Sequence, residues 1–156
     1  MAKGEHSAGL LMYRRRGPEP EVLLVHPGGP YWSKKDDGAW SIPKGLCDAA
    51  ENPLVAARRE FEEETGCRPD GDFVALGAFK QPSGKLISVW ACEGDFDLKL
   101  FQSNLFSLEW PPRSGRRKDF PEADRAGWFT PALAARKLLR GQLPILDALL
   151  ASLQTA

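Results

Sequence analysis

The sequence predicts a mixed α/β sandwich, in which helices pack on a sheet. Strand-like segments occur both before and after one sharply bounded helix, and two further helical segments follow near the end of the chain. Strands around a central helix, with helices at the end, are typical of sheet-and-helix layer architectures. A chain of 156 residues has room for one such domain with a substantial core, so we expect a single domain over residues 1–156.

The first predicted element is a β-hairpin. Residues 7–13 and 21–26 are mostly apolar, whereas the residues between them are polar and rich in turn formers. Residues 26–45 then carry glycine, proline and aspartate throughout, which is typical of a long functional loop. A short strand near residues 39–42 is expected to interrupt this loop.

A helix over residues 54–65 has the clearest boundaries in the sequence. Asn52 is a favourable N-cap, Pro53 fits the first helical position, and no glycine or proline follows until Gly66. Because glycine readily adopts the left-handed conformation that ends many helices, Gly66 is the predicted C-terminal boundary.

The remaining elements follow from apolar runs and turn signals. Residues 73–80 and 85–92 are strand-like and flank a turn sequence at 81–84, so they are predicted to pair. Residues 111–118 are polar and basic and are interpreted as a flexible loop. A strand over residues 126–130 and helices over residues 131–140 and 143–153 complete the predicted architecture.

The overall charge excludes some classes of partner. The chain carries 21 basic and 21 acidic residues, which gives no reason to expect binding to long nucleic acid or to an anionic membrane. Cys47, Cys67 and Cys92 are widely spaced and contain no CxxC pair, which favours reduced thiols. No segment approaches the roughly 18 apolar residues of a membrane span. We therefore expect a cytoplasmic protein, either monomeric or homodimeric.

Three carboxylates share one face of the predicted helix. At about 100° per residue, Glu60, Glu63 and Glu64 fall within an arc of about 100°, and apolar side chains occupy an adjacent face. Clustered carboxylates repel one another unless cations or solvent neutralise them. Mg²⁺ suits such a cluster, because it prefers carboxylate and phosphate oxygens and retains water ligands. The alternative is a solvated helix face supported by pairs such as Arg59 with Glu63.

A longer pattern favours the metal site over the solvated face. Gly45 is followed after five residues by Glu51, and seven residues later the chain continues Arg-Glu-Phe-Glu-Glu-Glu-Thr-Gly, from Arg59 to Gly66. This constellation resembles the sequence box of the Nudix hydrolases. It matches every polar and glycine position of the box, and departs from it in placing Cys67 where the family usually has a larger aliphatic residue. The resemblance implies a Nudix-type α/β/α sandwich with a mixed β-sheet over nearly the whole chain.

The resemblance also implies hydrolysis of a phosphoanhydride bond with Mg²⁺ or Mn²⁺ as cofactor. Glu60, or a carboxylate from a later loop, is implied as the general base toward the attacking water. Arg59 is implied to hold the carboxylates in place by a charge-assisted bond to Glu51 or Glu63. The implied metal ligands are the Gly45 backbone carbonyl, Glu60, Glu63 and Glu64, and the implied catalytic residues of the box are Glu60, Glu63 and Arg59.

Glu122 is the candidate for the later carboxylate, as an additional metal ligand or as the base. It lies in a short acidic segment before Trp128, and similar family members use a late-loop glutamate near the metals. Asp119 and Asp124 are close competitors for the same role. The alternative for all three side chains is a solvated acidic loop.

Several cationic and aromatic side chains are candidates for binding the substrate. Lys44 directly precedes Gly45, so its ammonium group could contact a phosphate, with a solvent-facing lysine as an equal alternative. A basic loop beside Trp110 suits a phosphate chain with a base, although solvated loops are the commoner outcome for such runs. Tyr31 and Trp32 are candidates for stacking on a nucleobase, with core packing as the alternative. The candidates in the basic loop are Arg113, Arg116 and Arg117.

The resemblance is strongest to the branch that hydrolyses diadenosine polyphosphates or nucleoside triphosphates, and it implies a small-molecule nucleotide as partner. The positions around Gly84 and Lys85 lack the tyrosine that is often associated with the diadenosine branch. Pro82 lies roughly where the ADP-ribose branch carries a proline, but it also suits an ordinary turn. ADP-ribose hydrolysis and a non-catalytic nucleotide sensor therefore stay open as alternatives.

Overall fold

The computed structural model describes residues 6–154, so residues 1–5 and 155–156 of the predicted domain lie outside the described residues. In that range, no helix is both long and apolar enough to cross a membrane. Short 3₁₀ turns occur at Leu98–Leu100 and Arg140–Gln142. The strands and α-helices are β1 (His6–Arg15), β2 (Pro20–Pro27), β3 (Lys44–Leu46), α1 (Pro53–Thr65), β4 (Val74–Lys80), β5 (Leu86–Glu93), β6 (Leu105–Glu109), β7 (Arg117–Pro121), β8 (Ala123–Phe129), α2 (Pro131–Lys137) and α3 (Leu143–Gln154).

The centre of the fold is a mixed sheet with the strand order β4-β5-β1-β2-β8. The hairpin of β1 and β2 and the pairing of β4 with β5 are both antiparallel, as predicted. β1 and β5 run parallel to each other, and β3 adds to β1 in the antiparallel sense. Strands β6 and β7 form a separate two-stranded sheet. The predicted mixed sheet with flanking helices is confirmed.

Helix α1 begins and ends where the sequence predicts. The Asn52 side chain accepts hydrogen bonds from the backbone N–H groups of Leu54 and Val55, and Pro53 occupies the first turn. Gly66 adopts a left-handed conformation with a φ of 80°, and its N–H donates to the Glu62 carbonyl. Both ends of the helix are therefore capped by local contacts.

The sheet separates two hydrophobic cores. Leu10 of β1 faces the core beneath α1, and its neighbour Leu11 faces the core beneath α2 and α3, because side chains alternate along a strand. Phe61 of α1 is fully buried, which stabilises the fold by about 2 kcal/mol. α1 is thus anchored through one face, while its polar face lies against β3 and the segment between β7 and β8.

Three regions differ from the predicted elements. Residues 39–42 contribute only isolated bridges, such as Trp40 with Leu138, and the regular strand lies at Lys44–Leu46. Helix α2 ends at Lys137 rather than at residue 140, because the Leu139 N–H donates to the Trp40 carbonyl instead of continuing the helix. The predicted basic loop, residues 111–118, contains the turn of a hairpin and the first two residues of its second strand, β7, which shows no apolar alternation.

Candidate active site

Three carboxylates converge at the polar face of α1. Glu60 and Glu64 come from the helix, and Glu122 comes from the segment that joins β7 to β8. One carboxylate oxygen of each residue lies within 4.8 Å of those of the other two. The sequence predicted Glu60 and Glu64 as metal ligands and Glu122 as an additional ligand or base, and the fold brings these three together.

Backbone hydrogen bonds fix the position of Glu122 relative to α1. Its N–H donates to the Asn104 carbonyl over 2.8 Å, and the Asn104 N–H donates to the Glu63 carbonyl near the end of the helix, also over 2.8 Å. On the other side, the Gly28 N–H donates to the Glu122 carbonyl over 3.0 Å. Main-chain hydrogen bonds therefore hold Glu122 at a fixed position beside the helix. Such bonds do not depend on side-chain type, so the sequence gives no signal for them.

The two competing aspartates occupy different surroundings. Asp119 is exposed on β7, opposite Ser107. Asp124 contacts His26, with 2.8 Å between its Oδ1 and the ring Nδ1. Of the three late carboxylates proposed from sequence, Glu122 is the one that joins Glu60 and Glu64.

Arg59 organises a second group of carboxylates, which lie on α1 and in the loop before it. Its Nε and Nη2 donate to the two oxygens of Glu51 over 3.0 and 3.1 Å. Its Nη1 donates to Glu60 over 2.7 Å and to Glu63 over 3.1 Å, and Nη2 also donates to the Leu46 carbonyl. The Glu51 carboxylate receives both prongs of the guanidinium fork, and its pKa is lowered mainly by these hydrogen bonds. Glu63 thus belongs to the group held by Arg59. Glu60 belongs to both groups, because it accepts a hydrogen bond from Arg59 and also lies beside Glu64 and Glu122.

The converging carboxylates resist ionisation. The pKa of Glu64 is raised to about 8, chiefly by burial and next by the neighbouring Glu60 carboxylate. The pKa values of Glu60 and Glu122 are also raised, in both cases chiefly by burial, with nearby carboxylates contributing in the same direction. Buried like charges favour either protonation or a bound cation.

The strand before the helix completes the surroundings of the carboxylates. A Cβ at Gly45 of β3 would collide with the Glu60 carboxylate, so any larger residue here would displace that carboxylate from its present position. Lys44 lowers the pKa of Glu64 through its charge and through a backbone hydrogen bond, although burial outweighs both. Hard carboxylate oxygens brought together beside an uncrowded backbone suit Mg²⁺ or Mn²⁺.

A cavity of about 240 Å³ opens beside the carboxylates. Glu64, Glu122 and Lys44 line one part of it, and Trp32 from the β2–β3 loop lines another. The Lys35 ammonium lies 5.0 Å from the centroid of the Trp32 ring. Sequence reasoning named the charged and aromatic lining, but missed the apolar and hydroxyl lining of Val25, Pro27, Ala39, Ser41 and Leu139, for which the sequence contains no distinctive signal.

Tyr31 lies farther from this lining. The residue is 60% exposed, and its ring makes an edge-to-face contact with Trp110, with 5.4 Å between the centroids. Trp110 belongs to the turn of the β6–β7 hairpin, so the contact joins the β2–β3 loop to that hairpin. Of the two stacking candidates named from the sequence, Trp32 lines the cavity, whereas Tyr31 is not among its lining residues.

The basic candidates lie at the far end of the same hairpin. Arg113 and Arg116 are exposed in its turn, and Arg117 begins β7. Arg117 donates to the hydroxyl and carbonyl oxygens of Ser107. β7 has five residues and ends beside Glu122, so its length separates Arg117 from the carboxylates by roughly 16 Å.

Comparison with known proteins identifies the family. A profile of the NUDIX domain matches residues 5–149 of this chain. The chain belongs to the NUDIX domain family. The Nudix box recognised in the sequence therefore corresponds to β3, α1 and the loop between them.

Individual NUDIX relatives are distant. Nudix hydrolase 6 of Arabidopsis thaliana is 28% identical over 119 residues, which cover 71% of this chain and 41% of the plant protein. The NUDIX domain of Shewanella oneidensis NrtR, solved in complex with ADP ribose, has a TM-score of 0.70 at 14% identity and covers 98% of this chain and 90% of that chain. The C. elegans Ap4A hydrolase has a TM-score of 0.67 at 20% identity and covers 96% of this chain and 99% of that chain. These two structures share the fold.

Proposed function

We propose that this NUDIX protein is a divalent-metal-dependent pyrophosphohydrolase. The observation that carries the proposal is the convergence of Glu60, Glu64 and Glu122, with carboxylate oxygens within 4.8 Å of one another. Ion pairs within residues 6–154 involve Glu60 through Arg59, but none is recorded for Glu64 or Glu122. A cation bound by this cluster would compensate the buried negative charge.

The residues around the cluster have distinct roles in the proposed reaction. Bound Mg²⁺ or Mn²⁺ supplies Lewis-acid activation of the phosphate and of water. Glu60 and Glu122 are the candidates for accepting the proton of the attacking water, because each offers a carboxylate whose pKa is raised toward the operating pH. Arg59 holds Glu60 from the opposite side. Lys44 lines the cavity and supplies a positive charge for the substrate phosphates.

A dinucleoside polyphosphate is the preferred substrate, with a nucleoside triphosphate as the shorter option. A second cavity of about 250 Å³ adjoins the first and shares Lys44 and Leu139 with it. Gln81, Ser83 and Lys85 line this second cavity. Two cavities on either side of one lysine suit a substrate with a nucleoside at each end of its phosphate chain. The similarity in fold to the C. elegans Ap4A hydrolase supports the same choice.

ADP-ribose is the second candidate. The Shewanella NUDIX domain that resembles this chain in fold was solved with ADP ribose bound, which favours this substrate. Pro82, in the β4–β5 turn, packs against Gly141 of the 3₁₀ turn before α3. The contact is so close that a Cβ on the glycine would lie 2.6 Å from the proline Cδ. This contact gives Pro82 a role in the turn without any ligand. A sensor that binds nucleotides without cleaving them is disfavoured, because all box carboxylates are present.

We also propose that the protein acts on free nucleotides in a reducing, cytoplasmic compartment. Cys47, Cys67 and Cys92 are free thiols in the structure. Burial raises the pKa of the Cys92 thiol to about 11, so this side chain stays protonated and unreactive at neutral pH.

A substrate panel tests the proposed function. Purified protein with Mg²⁺ is incubated with diadenosine tetraphosphate, nucleoside triphosphates, ADP-ribose and NADH, and the products are separated by chromatography. We expect cleavage of the dinucleotide to be fastest and to disappear with EDTA. The Glu122→Gln variant should lose most turnover, whereas Asp119→Asn, which changes an exposed acid on the preceding strand, should retain it. If no substrate is cleaved, the proposal that the protein is a pyrophosphohydrolase is wrong. If ADP-ribose alone is cleaved, the proposal of a dinucleoside polyphosphate as preferred substrate is wrong.

A further inference from the structure

His26 is a fully buried titratable side chain that the proposed reaction does not use. It lies near the end of β2, and both of its ring nitrogens are within hydrogen-bond distance of an oxygen. Nδ1 lies 2.8 Å from Oδ1 of Asp124, and Nε2 lies 2.6 Å from the backbone carbonyl oxygen of Lys35. Its ring also meets Trp40 edge-to-face, with 5.3 Å between the centroids.

The chemistry of these two oxygens fixes the direction of one hydrogen bond. A backbone carbonyl can only accept, so Nε2 carries a hydrogen and donates it to Lys35. The other ring nitrogen shares a proton with the Asp124 carboxyl group, whichever of the two atoms holds it. The buried ring is therefore saturated with partners, and they come from two different segments of the chain.

The Lys35 contact links His26 to the part of the cavity lining that Trp32 forms, here called the Trp32 wall. The Lys35 N–H donates to the Trp32 carbonyl over 3.0 Å, and its ammonium lies over the Trp32 ring. Trp32 in turn lines the cavity beside Glu64. By holding the Lys35 carbonyl, His26 fixes the short turn that presents Trp32.

The Asp124 contact links His26 to the segment that carries Glu122, a member of the carboxylate cluster. Asp124 stands two residues after Glu122, and β8 begins between them at Ala123. The pairing of β2 with β8 shifts register between His26 and Pro27, next to the point where Gly28 donates to the Glu122 carbonyl. His26 therefore contacts the strand that directly follows Glu122 as well as the loop that carries Trp32.

We propose that His26 is a positioning residue that couples the Trp32 wall of the cavity to the Glu122 segment. This inference rests on the proposed function for its consequence in nucleotide binding. The competing role is that of an ordinary core histidine, whose loss would weaken the whole fold without a selective effect on the β2–β3 loop.

Two conservative substitutions separate the two contacts of the ring. The side-chain amide of asparagine reaches about as far as Nδ1 and can keep the Asp124 contact, whereas that of glutamine reaches about as far as Nε2 and can keep the Lys35 contact. Amide hydrogen exchange of residues 28–38 is measured without any nucleotide. We expect His26→Asn to speed exchange there by about tenfold, and His26→Gln to change it far less. His6→Asn, at the other histidine of the sequence, is the matched control.

If both variants speed exchange equally across β2, β8 and the loop, or if neither affects the loop, the proposal is overturned. Should His26→Asn fail to fold, Asp124→Ala tests the other contact of the ring from its partly exposed partner. Like His26→Gln, it leaves the Lys35 contact in place, so we expect faster exchange at residues 122–126 and little change in residues 28–38. Unchanged exchange at residues 122–126 in a folded Asp124→Ala would overturn the coupling.

A double-mutant cycle then tests the route through Trp32. Binding of a non-hydrolysable ATP analogue with Mg²⁺ is measured by calorimetry for His26→Asn, Trp32→Ala and the double variant. We expect His26→Asn to weaken binding about fivefold and to add nothing in the Trp32→Ala background. Fully additive losses would overturn the proposal. Wild-type protein that neither binds nor cleaves any nucleotide would count against the proposed function, while the exchange experiment still decides the role of His26.

Discussion

The two sides of α1 compensate their carboxylates in different ways. On one side, Arg59 donates hydrogen bonds to Glu51, Glu60 and Glu63, so the chain supplies its own cation. On the other side, Glu64 and Glu122 meet Glu60 without an ion pair of their own within the described residues. Glu60 joins the two sides.

This difference separates the carboxylates that the chain itself neutralises from those that a bound cation would neutralise. A buried carboxylate is costly unless it is paired, and the pKa of Glu64, raised to about 8, reflects that cost. The pKa of Glu51 moves in the opposite direction, because Arg59 stabilises its charge. On the Arg59 side of the helix, the carboxylates are paired with a cation of the chain. On the incomplete side, formed by Glu64 and Glu122, the described residues supply no such ion pair.

The largest effect is expected from Glu64→Gln. The substitution removes the carboxyl group that must ionise to bind a cation on the incomplete side, and it leaves the Arg59 network intact. We expect metal-dependent turnover to fall by roughly 100- to 1,000-fold, the range for removal of one preorganised electrostatic group. Thermal stability in EDTA should not fall, since a neutral amide at this buried position carries no cost of ionisation. Kinetics with the best substrate of the panel and thermal melts check both results.

Glu62→Gln is the matched control for that experiment, because Glu62 is an exposed glutamate of the same helix whose partner, Arg68, lies 3.8 Å away. It should retain wild-type turnover. Equal losses in the two variants would remove the distinction between the sides of α1.

The next largest effect is expected from Gly45→Ala. The new methyl group would collide with the Glu60 carboxylate, the group shared by the two sides, and displace it. We expect a loss of about 50-fold in kcat/KM, with weaker activation by Mg²⁺. Gly17→Ala is the control, because no atom lies within 4 Å of its added Cβ. Similar kinetics for the two alanine variants would show that Glu60 needs no such space.

A smaller loss is expected from Arg59→Lys on the compensated side. Lysine keeps the positive charge but cannot reproduce the fork that reaches both Glu51 and Glu60. We expect kcat to fall about tenfold, as for loss of a group that orients metal ligands. Arg58→Lys, at the neighbouring arginine over the Phe73 ring, provides the comparison and should stay near wild type.

The smallest effect is a pH dependence of stability in the absence of metal. The pKa of Glu64 is raised from 4.5 to about 8, so the folded state binds this proton more tightly than the unfolded state. The stabilisation from this proton is complete below pH 4.5 and is lost as the pH rises through about 8. We expect the melting temperature in EDTA to fall by roughly a few degrees over this window. Glu64→Gln should flatten this slope, and an unchanged slope in the variant would contradict the assignment.

The sequence predicted the bounds of α1 and the face shared by its glutamates well, because local chemistry determines both. Asn52 and Gly66 are strong boundary signals, and the helical period alone brings Glu60 and Glu64 to one face. The choice of Glu122 over its neighbours could not be predicted in the same way. It depends on backbone bonds to Asn104 and Gly28, which any residue types could make.

The β6–β7 hairpin and the role of His26 were also hidden from sequence reasoning. The strand sequence Arg-Lys-Asp-Phe-Pro of β7 has no apolar alternation, so its pairing with β6 depends on tertiary context. His26 looks like the polar end of an apolar strand, and its partners Lys35 and Asp124 lie 9 and 98 residues away. Contacts at such separations are set by the fold rather than by a local motif.

Metal titration tests the central claim most directly. Mn²⁺ binding is followed by calorimetry in the wild type, Glu64→Gln and Glu62→Gln, in buffers with different heats of ionisation. We predict that the wild type and Glu62→Gln bind the ion and release protons at neutral pH, because Glu64 must ionise, and that Glu64→Gln binds it at least about tenfold more weakly. Equal affinity and equal proton release in all three proteins would contradict a metal site at Glu60, Glu64 and Glu122.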